Sequence, residues 1–280
     1  MGHGCRERRR HQIGLESMVL RMAITSDAAA TAVLETMEGL GETWVDGWIR
    51  REANCIAMVS GVEVPTLNGV VVASEQFDAP TVSRLLDEVA ASGQPYCLQV
   101  RPACASSASE LSAARSLGLE EDGIPLMVLE DPLHLAGAQS IDSLVIRELE
   151  PADADIHAQV AAAGFDAPVE LFQQLATPSM LSTAGVRCYV GEVDGEPVTT
   201  GFGFTVGSHV SIFSVATPPD HRRHGFGAAV TARAAADGLA AGANWAWLQA
   251  SPDGFPVYER LGFRSIESWS CWLSRPDSAS

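Results

Sequence analysis

Residues 217–230 read TPPDHRRHGFGAAV, and the run before them, HVSIFSVA at 209–216, has the β-branched, alternating character of a strand. Between that strand and an alanine-rich helix former lies a loop with His221, Arg222, Arg223 and His224, then Gly225 and Gly227. Strand, glycine loop and helix in that order constrain the chain to an α/β layer in which the helix packs back on a sheet. They also create a helix start whose first four N–H groups have no intrahelical partner, which favours a bound anion. The two glycines remove side chains that would hold an anion off the backbone. Arg222 and Arg223 add charge-assisted hydrogen bonds of roughly 1.5–3 kcal/mol each when shielded from water.

The surrounding segments read as a mixed central sheet flanked by helices, an α/β (α+β) class. LVIREL (144–149) is strand-like, 151–163 is a helix begun by Pro151 and acidic residues, and 168–175 is a shorter helix. RCYVGEV (187–193) and PVTTGFGF (197–204) flank Asp194-Gly195, a two-residue hairpin signal. A helix over 225–240, a strand over 245–250, a short helix over 255–261 closed by Gly262, and a strand over 265–273 follow. AGAQSIDS (136–143) is small and polar and reads as a linker between a unit at 22–135 and one at 144–280. The two units end alike. YCLQV (96–100) is answered by AWLQA (246–250), and ARSLGL (114–119) by YERLGF (258–263), each followed by a strand, which points to two tandem copies of one unit. Residues 1–21 lack the apolar core of a secretory signal, and Arg6 breaks a myristoylation motif at Gly2. They read as a disordered tail, with Met18 and Met22 as alternative starts.

Composition narrows the anion. All eighteen basic residues are arginine, so neither a Walker-type phosphate lysine nor a pyridoxal Schiff base is available. A dinucleotide fingerprint fails because Val230 stands where G-F-G-A-A-V would need a third glycine, and the loop follows a late strand of its unit. A net charge of −17 argues against nucleic acid, and 228–248, broken by Arg233, Asp237 and Asn244, is no membrane span. Cys5, Cys55, Cys97, Cys104, Cys188 and Cys271 are scattered without a CxxC, so no disulfide or metal site is expected and a reducing cytoplasm is the default. The diphosphate of coenzyme A remains.

At this point the residues carry a family likeness. Arg222-x-x-Gly225-x-Gly227, after SIFSVAT, resembles the acetyl-CoA-binding motif of the GNAT acetyltransferase superfamily. LQASPDGFPVYERLGF (248–263) resembles that superfamily's second signature, and together the likeness covers about 144–274. It implies an N-acetyltransferase with acetyl-CoA as co-substrate and direct attack by an amine in a ternary complex. Ser214, Val215, Ala216 and Thr217 would pair with the pantetheine arm, with the Val215 N–H directed at the thioester oxygen. The N–H groups of Arg223, His224, Gly225, Phe226, Gly227 and Ala228 would hold the diphosphate, and Ser251 would touch the coenzyme or cap the next helix. Tyr258 would be the general acid, its competing role being to cap a core.

The family's usual carboxylate on the central strand is missing from HVSIFSVAT. His209, Glu192 and a chain of waters are the candidates for the base. Phe202 and Phe204 either line an acceptor pocket or belong to the core. Ala114 stands where the second copy has Tyr258, and 22–135 contains no RxxGxG. The first copy is therefore expected to cover its sister's sheet edge and wall the acceptor cleft, with Trp44, Trp48, Arg50 and Arg51 at the interface. The alternative reading is a regulatory protein that binds acetyl-CoA and transfers nothing; a tyrosine at 258 favours the enzyme. The expected partner is a small-molecule or peptide amine, with no nucleic acid and no membrane, for a monomer or homodimer. The acidic surface leans towards a cationic acceptor.

Overall fold

The computed structural model describes residues 23–138 and 141–274. The expected tail and the alternative starts at Met18 and Met22 lie outside the described residues. The first half runs α1 (Ser26–Gly41), β1 (Trp48–Glu52), β2 (Cys55–Val59), β3 (Asn68–Val72), α2 (Ala79–Ala90), β4 (Cys97–Val100), α3 (Ala105–Ala114) and β5 (Gly118–Leu129). A short α4 (Leu135–Ala138) begins the connection, so the expected linker opens with a helical turn. The second half runs β6 (Val145–Glu148), α5 (Ala154–Phe165), α6 (Val169–Leu175), α7 (Pro178–Leu181), β7 (Val186–Val193), β8 (Glu196–Val206) and β9 (His209–Ala216). It ends with α8 (Phe226–Ala240), β10 (Trp245–Gln249), α9 (Phe255–Arg260) and β11 (Arg264–Leu273).

Local chemistry explains most of these boundaries. Asp194 (φ 52°) and Gly195 (φ 83°) make the left-handed turn that a β7–β8 hairpin needs. The unanticipated α7 starts at Thr177, whose Oγ1 accepts from the Met180 N–H at 3.2 Å, with Pro178 in the first turn.

The eleven strands of the described residues form one sheet, in the order β1-β2-β3-β4-β11-β5-β10-β9-β8-β7-β6. β1, β2 and β3 are antiparallel, and β3 runs parallel to β4 across α2. β7, β8 and β9 repeat that meander, and β9 runs parallel to β10 across α8. The duplication is therefore structural. Yet the copies do not close separately, because their last strands are exchanged. β5 of the first half pairs with β10 of the second (Ala246↔Leu129 to Gln249↔Leu126), and β11 pairs with β4 (Ser270↔Val100 to Leu273↔Cys97). β5 and β11 pair antiparallel at the centre, between Arg264↔Val128 and Leu273↔Gly118. Leu126, Met127, Val128 and Leu129 are all buried, the continuous apolar run of a strand covered on both faces. The pairing of β5 with β11 covers the edges that these two last strands would present if each copy closed on its own.

Candidate active site

β9 and β10 stay paired only from His209↔Trp245 to Ser211↔Trp247. Beyond that point they diverge, and the free edge of β9 opens into a cleft of about 300 Å³ bordered by Val215, Ala216, Thr217, Gly227, Ser251 and Tyr258. A bulge shapes the opening. Thr200 pairs with Ala216 but Phe202 with Phe213, so Gly201 faces both Ser214 and Val215, and Ser214 takes φ 51°. A Cβ on Gly201 would lie 3.1 Å from Val215 Cγ2 and 3.0 Å from Val230 Cγ1, so the bulge and α8 close over a bare backbone.

The glycine loop lies at the mouth of this cleft. Arg223 (φ 66°) and Gly225 (φ 83°) both take left-handed backbone, which curls the chain so that successive N–H groups converge. Among the described residues, no N–H from Arg223 through Ala228 has a partner; the first helical bond is Ala229 N–H to the Gly225 carbonyl, at 3.0 Å. Gly227 borders the cleft, and a Cβ there would sit 3.3 Å from Thr217 Oγ1. Phe226 is buried as the foot of α8, and His224 stacks on it at 5.4 Å. Arg222 borders the cleft as well. Its Nε donates to the Thr217 carbonyl (3.1 Å) and its Nη2 to the Gly164 carbonyl (2.8 Å), so it braces the loop against the end of β9 and α5. Arg223 is exposed.

Tyr258 lies across the cleft on α9, packed over Gly254, where a Cβ would be 2.8 Å from Tyr258 Cε2. Burial pushes its phenol up to about 12, so it carries its proton at neutral pH. Ser251 borders the cleft, and its Oγ accepts from the N–H of Gly254, the residue that opens α9, at 3.2 Å.

Ser214 faces a second chamber, of about 430 Å³, on the α5 side of β9. Phe165 borders both spaces, and Ser214 and Val215, adjacent in the chain, line one each. The first half contributes Leu40, Trp44, Val64 and Leu67 to its wall. In its depth a directed hydrogen-bond chain runs through His157, a residue the sequence did not single out. The Thr200 hydroxyl donates to the Tyr189 carbonyl at 2.8 Å, which leaves Thr200 Oγ1 as acceptor for His157 Nδ1–H at 2.7 Å. Nε2 then accepts from the Ser214 hydroxyl at 3.2 Å. Burial pushes the His157 imidazolium down to about 3, so the ring is neutral.

The two side chains expected as bases are elsewhere. His209 is buried at the paired end of β9 beside Trp245, with Nε2 3.3 Å from Thr36 Oγ1 and Nδ1 3.6 Å from Glu35 Oε2. That carboxylate would favour a charged ring, but burial outweighs it and lowers the His209 pKa to about 4. Glu192 pairs with Arg147 at 3.0 Å. A strand's sequence does not tell which of its ends opens. Phe202 lines the chamber, whereas Phe204 packs in the core against the β6–β8 side. Of the residues expected between the halves, Trp44 lies there; Trp48 packs on the cluster that β2, β3, β4 and α2 build with Trp272 of β11, and Arg50 and Arg51 pair with Glu88 and Glu38. Among the described residues no three His, Cys, Asp or Glu side chains cluster as a metal site would need.

The second half matches the Acetyltransferase (GNAT) family model over residues 155–263. Residues 155–263 are a GNAT domain. Solved structures share the architecture beyond that domain. A GCN5-related N-acetyltransferase from Kribbella flavida is 19% identical, covers 90% of this chain and 97% of its own, and superposes with a TM-score of 0.67. A tandem GNAT protein from the clavulanic acid biosynthesis pathway is 13% identical, with 91% and 98% covered and a TM-score of 0.53. A GCN5-related N-acetyltransferase from Sphaerobacter thermophilus is 13% identical, with 80% and 81% covered and a TM-score of 0.54. At these identities the likeness is one of fold. No curated protein sequence matches the chain.

The first half shows what the GNAT domain has kept. There β3 and β4 remain paired through Val72↔Val100, with no divergence. Arg101 stands three residues past Leu98, as Ser251 stands three past Leu248, and its side chain is 2% exposed. Its guanidinium donates to the Ala73 carbonyl (3.2 Å), Asp27 (2.6 Å) and Glu267 (2.6 Å). The place equivalent to the cleft is a space of about 430 Å³ bordered by Arg101 and its acidic partners Asp27 and Glu75, and the chain after β3, Ala73 to Phe77, has no glycine.

Proposed function

We propose that the GNAT domain transfers the acetyl group of acetyl-CoA to an amine, with one working site per chain. The observation that carries this reading is the run of unpartnered N–H groups from Arg223 to Ala228 at the mouth of a cleft made by two diverging parallel strands. Those groups suit a diphosphate, and the free edge of β9 suits an extended amide-bearing arm that pairs as an added strand. When bound, the co-substrate supplies an acyl group activated as a thioester.

The chain's own residues supply the rest. The Val215 N–H, released from the ladder by the bulge, donates towards the thioester oxygen as negative charge builds there; one such preorganised donor is worth about 2.7–4 kcal/mol. Tyr258 donates to the departing sulfur. Its raised pKa does not disqualify it, because the desolvation that lifts the phenol lifts a thiolate in the same cleft. The mismatch stays near that of the reference values, ~1.5 units or ~2 kcal/mol. The first half walls the acceptor chamber, and the chain after its β3, ASEQFDAP at 73–80, has no glycine loop to hold a diphosphate. The described cysteines are all free and buried, which suits a reducing cytoplasm. Among the described residues no helix is long and apolar enough to cross a membrane.

Purified protein with acetyl-CoA and a panel of amines is expected to release free thiol only when a suitable amine is present. Thermal stabilisation by acetyl-CoA with no thiol release from any amine would favour a sensor over an enzyme.

A further inference from the structure

We infer that the acceptor brings an uncharged nitrogen on a flat apolar body into the chamber beside Ser214, and that the Ser214 oxygen, aimed by His157, accepts that nitrogen's N–H. This rests on the acetyl-transfer reading and adds the class of acceptor to it. Three observations converge. No Asp, Glu, Arg or Lys is among the residues lining the chamber, so an ammonium entering it would be desolvated without a counter-charge. Its walls are built from stacked rings: Phe202 on Phe213 at 5.3 Å and 8°, and Phe165 on Phe172 at 5.6 Å and 13°. Such faces select planar apolar groups. Finally, the chain Ser214 O–H to His157 Nε2 and His157 Nδ1–H to Thr200 leaves the Ser214 oxygen's lone pairs as acceptors for an N–H. The cationic acceptor suggested by the acidic surface does not suit this interior.

The proton and electron count closes without any other reactant. The nitrogen lone pair forms the new bond to the acetyl carbon, and the carbon–sulfur bond breaks with its pair on sulfur. The nitrogen, held through one N–H to Ser214 Oγ, gives up its other proton to solvent as the amide forms, and the sulfur takes the Tyr258 proton. Exchange with solvent returns Tyr258 to neutrality. Ser214 meets the acceptor directly. His157 acts through it and is a positioning residue.

The test uses the full chain and two isomeric amines, 4-methylaniline, which is uncharged at neutral pH, and benzylamine, which is cationic, with spermidine as a polycation. Thiol release is expected with kcat/KM for 4-methylaniline at least 10-fold above that for benzylamine at pH 7, and none with spermidine. Between pH 6 and 8 the benzylamine value should rise by about tenfold per unit, following its neutral fraction, while the 4-methylaniline value stays level. The groups that face His157 in this window, Thr200, Ser214 and Phe202, do not titrate, and His157 and Tyr258 change charge outside it. Ser214→Ala should lower kcat for 4-methylaniline at least 10-fold with KM for acetyl-CoA unchanged, and His157→Asn should do the same. Equal or faster turnover of benzylamine or spermidine at pH 7 would overturn the acceptor class while leaving acetyl transfer standing. Turnover of none of the three, with thiol release from another amine of the wider panel, would also overturn the acceptor class alone; no thiol release from any amine would overturn both.

Discussion

His157 ties the chamber to a measurable pH dependence of stability. The ring is 1% exposed, bonded to Thr200 and Ser214 and packed edge-on against Phe202 at 4.5 Å, with no anion among these partners. Its pKa is about 3 in the folded protein against an ordinary value of 6.5. The unfolded chain therefore takes up the proton first as pH falls. Above 6.5 the group contributes no pH dependence, and between 6.5 and 3 it favours unfolding progressively. From pH 7 to pH 5 the loss from this one histidine is about 2 kcal/mol, since each pKa unit is worth ~1.36 kcal/mol. The assay is urea unfolding of wild type and His157→Asn at both pH values. Carboxylates and His209 contribute equally to the two proteins, so the difference of differences isolates His157. The variant starts less stable but should lose about 2 kcal/mol less than wild type on acidification. Equal losses would mean that the ring is not held neutral, and the directed chain from Ser214 would be wrong.

Further outcomes follow from the same geometry. Tyr258→Phe should slow turnover by roughly 10²–10⁴-fold with acetyl-CoA affinity retained; steady-state kinetics at wild-type level would reduce Tyr258 to a packing residue. Gly225→Val places a β-branched side chain at φ 83° beside the N–H cradle, and should abolish thermal stabilisation by acetyl-CoA. A protease site introduced at 139–140 should, once cut, leave two fragments that elute together in size exclusion, because β5 and β11 are exchanged; separation without denaturant would contradict the single sheet.

Much of the second half was legible because its punctuation is chemical. Asp194-Gly195 demands a hairpin, Gly225 and Gly227 mark the loop, and Gly262 at φ 90° closes α9. The repeat was also legible, since Leu98-Gln99 and Leu248-Gln249 occupy equivalent strands. What the repeat does not encode is pairing. A strand buried on both faces reads the same whichever neighbour it takes, so the exchange of β5 and β11 left no mark in the pattern. His157 was illegible for a similar reason. It sits in an alanine-rich helix, and its partners Thr200 and Ser214 are 43 and 57 residues away, brought to it only by the sheet. The charge of Arg222 points to an anion, but nothing in the sequence shows that its Nε and Nη2 also brace the Thr217 and Gly164 carbonyls. Gly164 makes that brace possible: a Cβ there would lie 2.8 Å from Ala216 Cβ, so only glycine lets α5 come this close to β9.

The most direct measurement is a crystal structure of the full chain with acetyl-CoA. The diphosphate oxygens are expected at about 2.9–3.0 Å from N–H nitrogens between Arg223 and Ala228, with the thioester oxygen facing the Val215 N–H. Coenzyme density elsewhere, between β3 and β4 for example, with those N–H groups facing solvent, would contradict the account.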